Sequence, residues 1–219
     1  GGTGGHIFPA INLMKHFFDN GHKVLLVTDV RGNNFIKNYS EFKSYILKSG
    51  TLTNKNFFKK FLSFFVIFFS IIKSIIILKK EKPDLVVGFG GYVSFPICFA
   101  SKFYKLPLII YENNMVIGRA NKYLLSFSKK ILLAKKSDKN YFEKYKNKIY
   151  EVGPILNKNI ISNLTKKENG KKDEFSILVL GGSQGAEIFG SVIPEVIKMI
   201  KNLGYDIKII QQCIVGQKN

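Results

Sequence analysis

Three glycine-rich loops carry the chemistry that this sequence advertises: Gly1-Gly2-Thr3-Gly4-Gly5-His6, Gly88-Phe89-Gly90-Gly91-Tyr92-Val93-Ser94 and Gly181-Gly182-Ser183-Gln184-Gly185-Ala186. Glycine lets the backbone come close to a ligand and reach positive φ. Where such a loop opens a helix, the unpaired N–H groups and the positive end of the helix dipole together attract a phosphate. Tandem loops of this kind suit a ligand with a diphosphate. They are not the common nucleotide fingerprints. A GxGxxG pattern fails at the first loop, where Ile7 holds the third glycine position, and no GxxxxGKS or GxxxxGKT occurs, which argues against P-loop ATPase chemistry.

The elements that must position these loops are legible as alternating apolar runs. Lys23–Thr28, Asp84–Gly88, Pro107–Tyr111, Lys130–Ala134, Ile149–Val152, Ser176–Leu180 and Asp206–Gln211 read as short strands buried on both faces. Helical stretches lie between them at Pro9–Asn20, Phe57–Glu81, Pro96–Tyr104, Gly118–Phe127 and Gly185–Leu203. Strand alternating with helix implies crossover connections and parallel sheets, so the fold class is α/β. Residues 154–172 are polar, rich in Lys and Asn, and read as a linker. They separate a lobe at 1–153 from the start of a second, incomplete one at 173–219. The chain opens on a glycine loop with no strand before it and no signal segment, and is expected to be an internal fragment.

Composition narrows the partners. Of 219 residues, 34 are Lys or Arg against 15 Asp or Glu, a formal charge of +19, yet only Arg31 and Arg119 are arginine. With abundant Ile, Asn, Phe and Tyr, that balance resembles drift toward A/T-rich codons. Proteins that read bases favour arginine forks, so no nucleic-acid partner is expected. A basic surface facing anionic lipid or phosphate substrates is. A hydrophobic content of 46% excludes intrinsic disorder. Cys98 and Cys213 form no CxxC or Cys/His cluster, which excludes a disulfide scaffold and a zinc site and fits a reducing compartment.

The run Phe61–Leu78 is almost wholly apolar, with Lys73 its only charge. Ser63, Ser70, Lys73 and Ser74 fall on one helical face, and phenylalanine and isoleucine fill the rest. Three placements fit: a buried core helix, a helix lying in a membrane interface, or a membrane span, which needs about 20 apolar residues. The flanking pairs Lys59/Lys60 and Lys79/Lys80 favour the interface.

The segments GGTGGHIFPA, VVGFGGYVSFP, IIYENNMVIGRANKYL and ILVLGGSQGA, in that order and spacing, resemble the MurG family from Gly1 to about Lys201. These transferases move GlcNAc from UDP-GlcNAc to undecaprenyl-diphospho-N-acetylmuramoyl-pentapeptide, converting lipid I to lipid II. The resemblance implies a GT-B fold, two Rossmann-like lobes with the active site between them. It also implies peripheral attachment to the cytoplasmic face of the plasma (inner) membrane. The first lobe would take the lipid acceptor and the second most of the donor. No cofactor is implied, and the lack of an Asp-x-Asp motif is consistent with metal-independent chemistry.

Site residues follow from the same resemblance. Thr3, Gly4 and Gly5 match a loop that contacts the donor near its diphosphate or sugar, and His6 is a candidate base for the acceptor 4-hydroxyl. Tyr92 matches an acceptor-site contact. Tyr111-Glu112-Asn113-Asn114 stands where the family has His-Glu-Gln-Asn. Glu112 is there as a second candidate base or as a hydrogen-bond organiser, and Asn114 as a donor-sugar contact. Asn121 matches an asparagine of the following helix, and Ser183, with Gln184 and Gly185, a contact to the UDP phosphate. Asn157 occupies the place of an arginine and cannot neutralise a phosphate; Lys158 is a point-charge substitute. Gly190 replaces an asparagine, and Gln211-Gln212-Cys213-Ile214 replaces a His-Gln-Ser-Gly-like turn. The isolated fragment is expected to be nearly inactive, with the uridine and sugar pockets beyond Asn219. Two rival readings stand beside this one: a GT-B transferase on another lipid such as diacylglycerol, and a non-catalytic membrane-associated lobe.

Overall fold

The computed structural model describes residues 2, 4–36, 39, 41–50, 57–135, 140–164, 175–181 and 187–213. It divides into two compact units, Gly1–Ile161 and Ser162–Asn219. In chain order the first runs α1 (Gly4–Asp19), β1 (Leu25–Thr28), α2 (Val30–Ile36), β2 (Lys43–Ile46), α3 (Phe57–Glu81), β3 (Val86–Gly88) and α4 (Ser94–Ala100). It continues with β4 (Leu108–Glu112), α5 (Arg119–Leu124), β5 (Lys130–Leu133), β6 (Ile149–Glu151) and α6 (Lys158–Leu164), which crosses the boundary. The second holds β7 (Phe175–Val179), α7 (Glu187–Asn202) and β8 (Ile207–Gln211). The expected linker is therefore helical over residues 158–164. Asn157 starts that helix, its Oδ1 accepting from the Asn159 amide at 2.9 Å.

All described strand pairs are parallel. In the first unit β1 pairs with β2, and β3-β4-β5-β6 form a four-stranded sheet; in the second, β7 pairs with β8. Alternation along β4 sends neighbouring residues into different cores. Leu108 and Ile110 join Ile97, Cys98, Leu124, Ile131 and Leu133 on one face. Tyr111 joins Ile7, Ile11 and Met14 of α1, together with Leu26 and Phe89, on the other. Burial pushes the Cys98 thiol up to about 12, so it serves packing rather than thiolate chemistry.

Helix α3 is turned inside out relative to an ordinary surface helix. Its polar stripe faces the lobe: Ser63, Ser70 and Ser74 are buried. Ser70 Oγ donates to the Lys48 carbonyl at 2.8 Å, and Lys73 Nζ to the Ile46 carbonyl at 2.9 Å. Glu81 at its end accepts from Lys43 Nζ and from the Tyr45 hydroxyl. Phe58, Phe61, Phe64, Phe65, Phe68, Phe69, Ile72 and Ile76 point outward, each at least 39% exposed. Among its described side chains, Ile77 and Leu78, near the end of the helix, are buried in the core, and Ile75 packs against it.

Candidate active site

The carboxyl ends of β3 and β4 and the first turn of α1 converge on one spot. Ligands of open parallel sheets bind in the crevice at this edge. Gly90, in the loop after β3, has φ +80°, and a Cβ there would stand 3.2 Å from Asn121 Nδ2, 3.2 Å from His6 Cε1 and 3.4 Å from His6 Nδ1. Glycine at this position is what allows an imidazole from α1 and an amide from α5 to meet over the loop. Two buried polar atoms in this cluster, His6 Nδ1 and Asn121 Oδ1, have no hydrogen-bond partner among the described residues. The amide oxygen accepts, and the imidazole nitrogen accepts or donates according to its tautomer, which suits a hydroxyl-bearing ligand. Burial holds the His6 imidazole below its ordinary value of 6.5, overriding the nearby Glu112 carboxylate, which acts to raise it. At neutral pH the ring is uncharged and able to take a proton.

Glu112 ends β4 at 2% exposure. Its Oε1 accepts from the backbone amide and the Nδ2 of Asn114, both at 3.0 Å. Its Oε2 accepts from the Gly118 amide at 2.8 Å and from Asn121 Nδ2 at 3.0 Å. Four donors fill both oxygens. Of the two expectations for Glu112, the geometry fits the hydrogen-bond organiser: it folds the 113–118 loop onto the start of α5 and aims Asn121 at His6. Asn114 is exposed and tied to this carboxylate. Tyr92 is partly buried after the second loop, and Gly4 and Gly5 open α1.

Thr3, Ser183, Gln184 and Gly185 lie outside the described residues. Asn157 caps α6, and Lys158 Nζ is engaged with Asp19 Oδ2 at 2.8 Å. Gly190 is buried on α7.

Two features escaped the sequence reading. Asp29, just after β1, is buried and leaves no room for a Cβ on Gly2 of the first loop. It accepts from the Gly32 amide at 2.9 Å and from Arg31 at 2.7 Å. Burial works to raise its carboxyl, but the Gly32 amide and the Arg31 guanidinium outweigh that and hold it below the usual range. Tyr111 was noted only as a departure from a motif. Its hydroxyl accepts from the Ile155 amide at 3.1 Å, and its proton lies between the Gly153 carbonyl and Asn113 Oδ1, each 3.3 Å away. An acid at the end of the second βα turn was a usable signal for Asp29. Tyr111 offered none, because two of its three partners, Gly153 and Ile155, lie some forty residues downstream.

Glycine-loop helix starts at the carboxyl edge of a parallel sheet define a Rossmann-like lobe of the kind found in GT-B transferases. Among solved structures, Acinetobacter baumannii MurG shares this fold with a TM-score of 0.71 at 24% identity, over 98% of this chain and 58% of that one. The chain belongs to glycosyltransferase family 28: the model of that family's N-terminal domain matches residues 1–133. Relatives named UDP-N-acetylglucosamine--N-acetylmuramyl-(pentapeptide) pyrophosphoryl-undecaprenol N-acetylglucosamine transferase occur in Pelagibacter ubique and Rickettsia canadensis. The first is 37% identical over 97% of this chain and the second 38% over all of it. The chain spans 58% and 61% of their respective lengths.

Proposed function

We propose that this chain supplies the acceptor lobe, and the start of the donor lobe, of an inverting transferase. The enzyme moves GlcNAc from UDP-GlcNAc to undecaprenyl-diphospho-MurNAc-pentapeptide at the cytoplasmic face of the plasma membrane. The observation that carries the reading is the joint placement of a diphosphate-type glycine-loop site and an inside-out apolar helix on one lobe. The names of relatives that match along the whole chain support it. A reaction between a water-soluble nucleotide sugar and a lipid-linked acceptor needs both features.

In this reading the neutral His6 imidazole accepts the proton of the acceptor 4-hydroxyl. The freed oxygen attacks C1 of GlcNAc as the bond from C1 to UDP breaks, with inversion. Charge developing on the leaving diphosphate is met by loop amides and helix starts; Thr3, Gly4 and Gly5 are assigned to this edge, and Ser183, Gln184 and Gly185 to the donor side. Asn121 Oδ1 accepts from a neighbouring hydroxyl of the bound sugar, and Glu112 holds Asn121. Tyr92 and Asn114 flank the acceptor and the donor sugar respectively.

The outward phenylalanines of α3, with exposed Lys79 and Lys80 at its end, dip into an anionic lipid surface. The span Phe61–Glu81 has the length and apolarity to cross a bilayer, with mean hydropathy 2.6. Crossing would strip the Ser70 and Lys73 bonds from the lobe, so the helix lies on the membrane. The test compares lipid I and diacylglycerol as acceptors for the full-length two-lobed enzyme on vesicles of phosphatidylglycerol and phosphatidylethanolamine. Transfer to lipid I alone is expected; transfer to diacylglycerol would reassign the acceptor.

A further inference from the structure

Helix α1 begins with a defect. Pro9 lies inside it and has no N–H to give to the Gly5 carbonyl, its acceptor four residues back. That carbonyl is one residue from His6, and Asn113 Nδ2 reaches it at 3.4 Å. Asn113 is in turn held by the Tyr111 hydroxyl, which also accepts from the Ile155 amide. The Ile155 carbonyl returns to α1 by accepting from Asn12 Nδ2 at 3.2 Å. A closed circuit results: α1 to Asn113, Asn113 to Tyr111, Tyr111 to the 153–155 segment, and that segment back to α1. Lys158 and Asp19 fasten the same segment to the far end of the helix.

Tyr111 and Glu112 are neighbours on β4 and point to opposite faces. Glu112 fixes Asn121, and Tyr111 fixes the start of the helix that bears His6. We propose that Tyr111 and Asn113 are positioning residues. They pass the placement of the 153–155 segment to the Gly5 carbonyl that Pro9 leaves free, and so hold His6 over Gly90 opposite Asn121. This rests on reading His6 as a group at the reacting centre. The residues at 111 and 113 both depart from the motif that the chain otherwise resembles, and they touch each other, so the two departures act as one unit.

The test is a titration of the His6 ring nitrogens by NMR in Tyr111→Phe, Asn113→Ala and the double variant, with turnover measured alongside. Loosening the start of α1 admits water, so the His6 midpoint rises toward 6.5 in each variant. With transfer as the second readout, kcat falls about three- to tenfold, the worth of one neutral hydrogen bond, while KM for UDP-GlcNAc is unchanged. The double variant matches the singles to within about twofold, because either substitution opens the circuit. Asn113→Asp keeps an acceptor for Tyr111 but puts a carboxylate oxygen against the Gly5 carbonyl; it behaves like Asn113→Ala, and being exposed it supplies the test if Tyr111→Phe fails to fold. A His6 midpoint identical to the parent's in folded variants overturns the proposal, as do losses that multiply in the double variant. The titration does not depend on transfer; turnover is read in the full-length two-lobed enzyme, whose inactivity would count against the proposed reaction and not against this circuit.

Discussion

Glu112 and Asn121 meet at 3.0 Å between Oε2 and Nδ2, and the Gly118 amide shares the same oxygen at 2.8 Å. A carboxylate with every lone pair engaged works as a fastener. Replacing Glu112 by Gln turns one acceptor into a donor that faces donors, and is expected to cost about 2–4 kcal/mol of stability. Urea unfolding would register it. A variant of normal stability with abolished turnover would return Glu112 to the role of base.

The His6 titration has a defined sign. Burial places its folded value below 6.5. Its contribution to stability is therefore fully present above that value and lost as pH falls through the folded one, because the unfolded chain takes up the proton first. His6→Gln should flatten the part of the stability profile that falls below about pH 6.5. An unchanged profile would place the imidazole in water.

Gly90→Ala tests the convergence over the second loop. The φ of +80° and a Cβ only 3.2 Å from both His6 and Asn121 leave no unstrained place for a methyl group. Strain of about 1–2 kcal/mol is expected. The larger effect is on turnover, since the methyl group presses on the His6 ring and on the Asn121 amide nitrogen. A variant that loses stability but keeps full turnover would separate this loop from the chemistry.

Helix α3 gives an inverted pair of outcomes. Phe64, Phe68 and Phe69 are 59%, 50% and 63% exposed. Changing all three to Gln should leave the unfolding midpoint in place and weaken vesicle partitioning by about a hundredfold, at about 1 kcal/mol for each half-buried ring. Ser74→Leu on the opposite face is expected to cost about 1–3 kcal/mol by overpacking, since Ser74 is wholly buried. Vesicle flotation and thermal melts read both. Equal partitioning of the triple variant would contradict the lipid-facing assignment.

The bounds of α3 were legible residue for residue, because a long apolar run between lysine pairs has one reading as a helix. Its orientation was not, since a serine stripe can face water or the lobe, and the answer depends on the carbonyls of Ile46 and Lys48. Strand β2 went unseen because Lys-Ser-Tyr-Ile is short and half polar; its pairing with β1 stabilises it where propensity does not. Helix α6 hid in a polar stretch whose start signal, Asn157 as a cap, resembled a lost arginine. In the site, sequence brought His6, Glu112 and Asn121 into view, yet the division of labour among them rests on geometry. Gly90 and Tyr111 matter through partners distant in the chain, which no local pattern encodes.

The central claim meets its most direct test in transfer of labelled GlcNAc from UDP-GlcNAc to a lipid I analogue on anionic vesicles, with the full-length two-lobed parent enzyme and with its His6→Ala variant. The account predicts lipid II formation by the parent, and loss of turnover in the variant with donor binding and fold preserved. Absence of product from a folded, vesicle-bound, donor-binding parent would contradict it, and full turnover by His6→Ala would remove His6 from the chemistry.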